Sequence, residues 1–476
     1  MGDPADAAEP TVPPLRGSFW SDVREALRGS DQDYTRGPIG RAILLLAIPM
    51  VLEMGMESIF AVTDVFFVGR LGPDAVAAVG LTESMLTLVY ALAMGLGIGT
   101  TAVVARRIGE KDREGAAAAA VQAVLLGFGG AALLGSLGVA FAPRLLALMG
   151  ASPGVLRIGA GYTRVMLGGE ATIVVLFVVN AIFRGAGDAA IAMRVLWLAN
   201  AINILLGPCL IFGLGPFPEL GVTGAAVATT IGRGTGALYA LSRLFLRGSR
   251  IAVERRHLRL VPKVMRSVAR LSGSGALQSI VGMASWIGLV RIVATFGSQA
   301  LAGYTIGIRI VVFALLPSLG MSNAATTMVG QALGARDPER AERSVWRACL
   351  YNLVFLSLIG VGFVVFANPI VSAFTSDPVV LAYGTDCLRI ISMGFAFYAY
   401  GMVLSQSFNG AGDTTTPTLL NLIVFWALEL PLAWVLAVPL GLGPRGAFLA
   451  VAICFSVLAV ASGLIFRRGR WKKIVV

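Results

Sequence analysis

Charge is scarce in this chain. Only 13 % of its 476 residues are Asp, Glu, Lys or Arg, against 57 % hydrophobic residues, and the mean hydropathy is +0.81. A soluble domain carries about 25 % charged residues, so this composition excludes a water-soluble globule and points to an integral membrane protein. Histidine is scarcer still: His257 is the only one, in a basic loop. The four cysteines, Cys209, Cys349, Cys387 and Cys454, lie singly in apolar segments, without disulfide or metal-ligand spacing. Histidine-based metal sites and His–Ser or His–Cys catalysis are thereby set aside. The dyad alternation of an outer-membrane barrel is absent. So is an early apolar core: MGDPADAAEPTVPP is acidic and proline-rich, which predicts a disordered tail rather than a signal peptide.

What is present is a series of apolar stretches that suit helical spans of about 20 residues or more. Twelve are read, at about 41–69, 77–105, 114–141, 154–181, 189–213, 221–246, 271–296, 302–330, 339–366, 379–406, 414–438 and 446–467. Ahead of them, SFWSDVREALRG (18–29) sets Phe19, Trp20, Val23 and Leu27 on one helical face, which suits either an interfacial helix or a frayed cap on the first span. The expected division is a cytoplasmic tail (1–40), a six-helix lobe (41–246), a basic linker (247–270), a second six-helix lobe (271–467) and a basic tail (468–476).

The halves repeat. FRGAGD (183–188) and FNGAGD (408–413) lie at an offset of 225, which also superposes Gly72 on Gly297, Gly95 on Gly320, GEKDRE on GARDPE and Gly221 on Gly446, with no gap. An even number of spans per half makes this a parallel repeat about the membrane normal, an architecture of transporters that leaves a cleft between lobes. In the hexapeptides, Gly185, Gly187, Gly410 and Gly412 are expected to form a tight turn and Asp188 and Asp413 to cap the next helix. Basic residues crowd one side: Arg106, Arg107, Lys111 and Arg113 after span two, Arg250 to Arg270 in the linker, Arg336, Arg340 and Arg343 after span eight, and the tail. Both termini are therefore expected in the cytoplasm. The net charge of +12 is explained by this flanking, with no nucleic-acid partner required.

Ionisable groups inside a span are costly and ask for a reason. The first span holds Glu53, Glu57 and Asp64, whose spacings of four and seven place them within about 40° on one helical stripe. Facing a wet cleft, the stripe is a ladder of proton or cation acceptors; alternatively Glu53 and Glu57 merely pair with neighbouring groups. The second-half equivalents are Gln278, Gly282 and Leu289, so coupling is placed in the first lobe. Glu83, Thr87 and Tyr90 share a face of span two, and Asn200, Asn203 and Gly207 one of span five. Glu170, Gln278, Tyr398, Met402, Trp426 and Glu429 are further candidates for a cleft lining, ordinary helix packing being the alternative. Arg291 and Arg309 lie near the ends of their spans, where they either snorkel or face the cleft.

IPMVLEMGMESIFAVTDVFFVGRLG (48–72), ARRIGEKD (105–112), the doubled hexapeptide, and NILLGPCLIFG with GVTGAAVATT (203–230) together resemble the multidrug and toxic compound extrusion (MATE) family of bacterial transporters, over essentially the whole chain from about residue 36. The resemblance implies an all-helical antiporter of twelve spans in two lobes. Such a protein expels amphipathic, often cationic compounds from a bacterial inner membrane in exchange for H⁺ or Na⁺, without a cofactor, and is expected to be monomeric. It further implies that Asp64, Asn203 and Thr229 supply oxygens of a cation site. The family's acid one turn after the asparagine is missing here, because that position is Gly207. That loss weakens a preformed sodium site and tilts the reading toward protons. A lipid-linked precursor flippase of a related family is the alternative.

Overall fold

A computed structural model describes residues 19–30, 32–246 and 250–476; the expected N-terminal tail before residue 19 lies outside the described residues. The described residues are helical throughout, with no strand. A short helix α1 (Phe19–Arg28) precedes α2 (Ile39–Gly69), α3 (Pro73–Gly109), α4 (Arg113–Leu148), α5 (Pro153–Gly168), α6 (Glu170–Ala186), α7 (Ala189–Phe212) and α8 (Val222–Phe245). The second half holds α9 (Pro262–Ala294), α10 (Ser298–Gly334), α11 (Pro338–Ser372), α12 (Pro378–Met393), α13 (Phe395–Ala411), α14 (Thr415–Asn421), α15 (Leu430–Ala437) and α16 (Pro444–Arg467).

These elements account for the expected spans. Ten are single stretches long and apolar enough to cross a bilayer, α5–α6 among them, and α12–α13, bent by 58°, makes another. The remaining span is α8. Its 24 residues extend about 36 Å, but they are rich in Gly and Thr and include Arg233, because much of this helix faces protein rather than lipid. The breaks in spans four and ten fall at Gly169 and Gly394, positions that the 225-residue offset superposes. Trp20 on α1 is 75 % exposed, while Asp22 and Glu25 hold Arg41 of α2. The side chain of Phe19 lies outside the described residues.

Two expectations need correction. Helix α9 starts at Pro262, so Lys263, Arg266 and Arg270 sit on its first turns rather than in the linker; a proline at N1 is preorganised for helix and loses no needed N–H. The repeat also slips at its end. Gly221 precedes α8 at φ 56°, ψ −136°, and its conformational twin is Gly443 before α16 at φ 58°, ψ −145°, not Gly446. The connection between spans eleven and twelve is three residues shorter than its counterpart.

The hexapeptides close the same turn in both halves. Gly187 and Gly412 take φ 85° and 86° as left-handed helix C-caps, the conformation that favours glycine there. Gly185 and Gly410 are not part of the turn. They lie within α6 and α13, where an added Cβ would come 3.0 Å from the Thr101 carbonyl oxygen and 2.4 Å from that of Thr326. Asp413 Oδ1 accepts from the Thr416 amide, whereas Asp188 occupies the N-cap of α7 without a side-chain capping bond.

The lobes meet through α2 and α3 on one side and α9 and α10 on the other. A Cβ on Gly95 would lie 2.4 Å from the Ala276 amide, and one on Gly320 2.7 Å from the Val51 amide. A Cβ on Gly109 would lie 2.1 Å from the Gln331 carbonyl oxygen, and one on Gly334 2.2 Å from that of Arg106. Each pair is the other's image under the repeat, so the interface is itself pseudo-two-fold. All four contacts lie toward the end that carries the basic loops. Toward the other end, a Cβ on Gly55, Gly69, Gly80 or Gly282 would meet nothing within 4 Å. At the closed end, the buried Arg340 of α11 donates to the carbonyls of Tyr34, Arg36 and Gly37, and Arg106 of α3 donates to that of Ile474. The segments flanking each lobe thus tie it to the other.

Gly109→Ala forces backbone apart in this interface. It is expected to cost about 1–3 kcal/mol and to lower the thermal midpoint of the detergent-solubilised protein. Gly55→Ala, which meets nothing, should be neutral or slightly stabilising. Equal midpoints for the two variants would contradict the close approach.

Candidate functional site

The site is built in the first lobe by α2, α3, α7 and α8. Glycines 224, 232 and 236 let α8 lie against α7: a Cβ on Gly224 would sit 2.3 Å from the Leu210 carbonyl oxygen, and one on Gly232 2.5 Å from that of Ala199. This crossing brings Asn203 to Thr229. Asn203 Nδ2 donates to Thr229 Oγ1 at 2.7 Å, and the threonine hydroxyl donates to the Ala225 carbonyl at 2.9 Å. A Cβ at Gly207 would find Asn203 Oδ1 at 3.8 Å and nothing nearer, so the place of the missing acid is open space beside the asparagine.

The acidic stripe divides. Glu53 is buried at 2 % side-chain exposure and accepts from Arg184 Nη1 at 3.1 Å. Asn180 makes a longer contact of 3.5 Å to the same oxygen. Its other oxygen has no partner among the described residues. Glu53 is therefore ion-paired with the arginine of the first hexapeptide. Glu57 is partly open, at 28 %. Its Oε2 accepts from Asn200 Nδ2 at 3.0 Å, and its Oε1 lies 3.6 Å from Arg233 Nη2. Two turns further along, Asp64 is half-buried and accepts no hydrogen bond among the described residues. It lies within electrostatic reach of Glu83 on α3 and Arg233 on α8. Arg233, absent from the candidates above, also donates from Nη1 to the Tyr90 hydroxyl at 3.1 Å. Its signal was available: it follows Thr229 by one helical turn, and an arginine inside a span is itself a functional flag.

The other candidates scatter. Glu83 is exposed and lies within electrostatic reach of Arg309 of the second lobe. Gln278 is half-buried. Trp426 is partly exposed and donates to the Val281 carbonyl, and Met402 Sδ accepts from Ser318. Glu170, Tyr398 and Glu429 are enclosed, at 1 %, 2 % and 5 % exposure, and do not form an open cleft wall. Tyr398 is packed between Phe395 and Phe455, and Glu170 heads α6 at the glycine break, facing Gly135 of α4.

The Glu53–Arg184 pair generates a test. Arg184→Met strands a buried carboxylate and should cost about 3–5 kcal/mol, read as a lower thermal midpoint. Glu53→Gln added to Arg184→Met should recover most of that loss. A single variant that melts like the parent would show that the pair is not a desolvated one.

Comparison with known proteins agrees with this architecture. The MatE family model matches residues 49–209 and 272–435, one segment in each lobe. The probable multidrug resistance protein NorM of Thermotoga maritima is 29 % identical, over 92 % of this chain and 94 % of that protein. The FAD transporter of Shewanella oneidensis is 28 % identical, over 83 % and 88 %. Among solved structures, the outward-facing conformation of a multidrug resistance MATE family transporter superposes with a TM-score of 0.87 at 28 % identity, covering 93 % of this chain and 98 % of the other. With both lobes matched and the two-lobed helical fold shared, the chain belongs to the MatE family and is a multi-pass membrane transporter rather than an enzyme.

Proposed function

We propose that this protein is a secondary antiporter that exports amphipathic, often cationic organic compounds in exchange for H⁺ or Na⁺. The exchange runs by alternating access of its two lobes in a bacterial inner membrane, with both termini cytoplasmic. The observation that carries this reading is Asp64: an ionisable group within a span, in reach of opposite and like charges from two other helices, yet without a hydrogen bond that holds it in one state. An acid so placed changes its ion or proton occupancy when its surroundings change. The hinge for such a change is supported by the pseudo-two-fold interface, whose close backbone approaches lie toward the basic end. Loading of Asp64 favours one arrangement of the lobes, substrate binding the other, and the difference in affinity drives exchange.

Export of drug-like compounds is further supported by the relatives named as multidrug resistance proteins. The flippase alternative gains nothing from Arg233, which pairs with Glu57, or from Arg309, which lies within electrostatic reach of Glu83.

The test is substrate efflux from vesicles reconstituted with the full chain, under pH and sodium gradients imposed separately. The parent protein should respond to at least one gradient. Asp64→Asn should reduce efflux to the gradient-independent leak while keeping the parent's circular dichroism and thermal midpoint. Full gradient-driven efflux by the variant would remove Asp64 from the mechanism.

A further inference from the structure

We propose that the base of α9 is a binding site for one anionic phospholipid, its phosphate held among Lys263, Arg266 and Arg270 and an acyl chain lying along the exposed apolar stripe that continues from them. The inference is independent of the transport reading and of the coupling ion.

The repeat reveals the site by contrast. The offset of 225 holds in the first span of each half, because the close approach of Gly95 ends on the Ala276 amide and that of Gly320 on the Val51 amide. Arg266 of α9 is therefore the counterpart of Arg41 of α2. Arg41 is neutralised within the chain: its Nε lies 2.9 Å from Asp22 Oδ1 and its Nη2 2.7 Å from Glu25 Oε2, both on α1. The linker before α9 offers no such partner. Its one carboxylate, Glu254, is engaged by Arg256. Glu114 of the neighbouring α4 is engaged by Arg256 and His257. Lys263, Arg266 and Arg270 are exposed and have no ion pair among the described residues. The second lobe thus repeats the cation of the first without the carboxylates that answer it, and an anion from outside the chain takes their place.

The shape of the surface selects a lipid. Positions 263, 266 and 270 fall within about 60° of one another on the helix. The same face continues through Gly273, Leu277 and Ile280, all exposed. A Cβ on Gly273 would meet nothing within 4 Å, so the stripe opens with a notch directly after the last cation. From Arg270 to Ile280 the helix rises about 15 Å, which is half of a hydrocarbon core about 30 Å thick and so the depth of one leaflet. The linker is fixed beside this face. The buried Gln122 of α4 donates from Nε2 to the Arg259 carbonyl at 2.8 Å, and its Oε1 accepts from the Val261 amide at 3.2 Å. Gln122 lies about 14 Å along α4 from its first residue, Arg113, so the linker is held toward the membrane with Leu258 and Leu260 exposed. Basic side chains beside exposed leucines match the headgroup and acyl boundary of an anionic lipid. A free phosphate or an acidic peptide would answer the cations but leave the apolar stripe uncovered.

The experiment is native mass spectrometry of the full chain, titrated with phosphatidylglycerol or phosphatidylcholine of the same acyl chains. The parent should retain one phosphatidylglycerol in preference to phosphatidylcholine. Arg266→Gln with Arg270→Gln should weaken that retention roughly 25-fold, about five-fold for each cation removed near the membrane surface. Arg343→Gln with Arg468→Gln removes the same charge from exposed positions elsewhere on the basic side and should leave it unchanged. Excess inorganic phosphate should not displace the lipid. Equal retention of the two lipids by the parent overturns the proposal, and this arm needs no variant to fold. Equal losses in the two double variants would mean diffuse surface attraction and overturn the site. So would a folded Arg266→Gln with Arg270→Gln, at the parent's thermal midpoint, that retains the lipid unchanged. Displacement by inorganic phosphate would overturn the assignment of a lipid.

Discussion

A charge enclosed in a membrane-embedded lobe must be paired or wetted, and this one requirement organises the first lobe. Isolated charges at a span's centre cost about 2.5–3.5 kcal/mol each on insertion scales, so three acids on one helix call for three solutions. Glu53 is solved by Arg184 in the buried interior. Glu57 is solved by Arg233 and Asn200 at the edge of the pocket. Asp64 is left half-buried, with charges near but no bond, and it is the acid with freedom to change state.

The same lobe shows why the repeat is closer in backbone than in chemistry. Interface glycines recur in pairs because both lobes must let helix backbones touch, and any Cβ there would collide. The left-handed glycines of the hexapeptides recur because both turns need the same φ. Side chains facing the pocket carry no such constraint. Arg184 becomes Asn409, and the acidic stripe becomes Gln278, Gly282 and Leu289. A duplicated scaffold thus holds an acidic stripe in the first lobe that the second lacks.

The basic end is sealed by backbone contacts and by arginines that grip carbonyls of the opposite lobe's flanking segment. Such bonds are charge-assisted and stronger than neutral ones, which suits a state held closed. Elsewhere between the lobes, Glu83 of α3 lies within electrostatic reach of Arg309 of α10 without an ion pair among the described residues.

Span number, helix order, the repeat and the family were all legible in the chain as a string. Hydropathy and glycine spacing act over a few residues, and a duplicated fold copies them at a constant offset. The slip between Gly221 and Gly443 escaped because glycine-rich loops offer several equivalent alignments, and only φ and ψ choose among them. Which acids are free was not legible. Glu53, Glu57 and Asp64 look alike on a helical stripe, and their fates depend on arginines about 130 to 175 residues away, delivered by helices whose crossing is a tertiary property. The string names the charged groups of a membrane protein, but pairing is decided in space, because in a low dielectric the nearest opposite charge sets what each group can do.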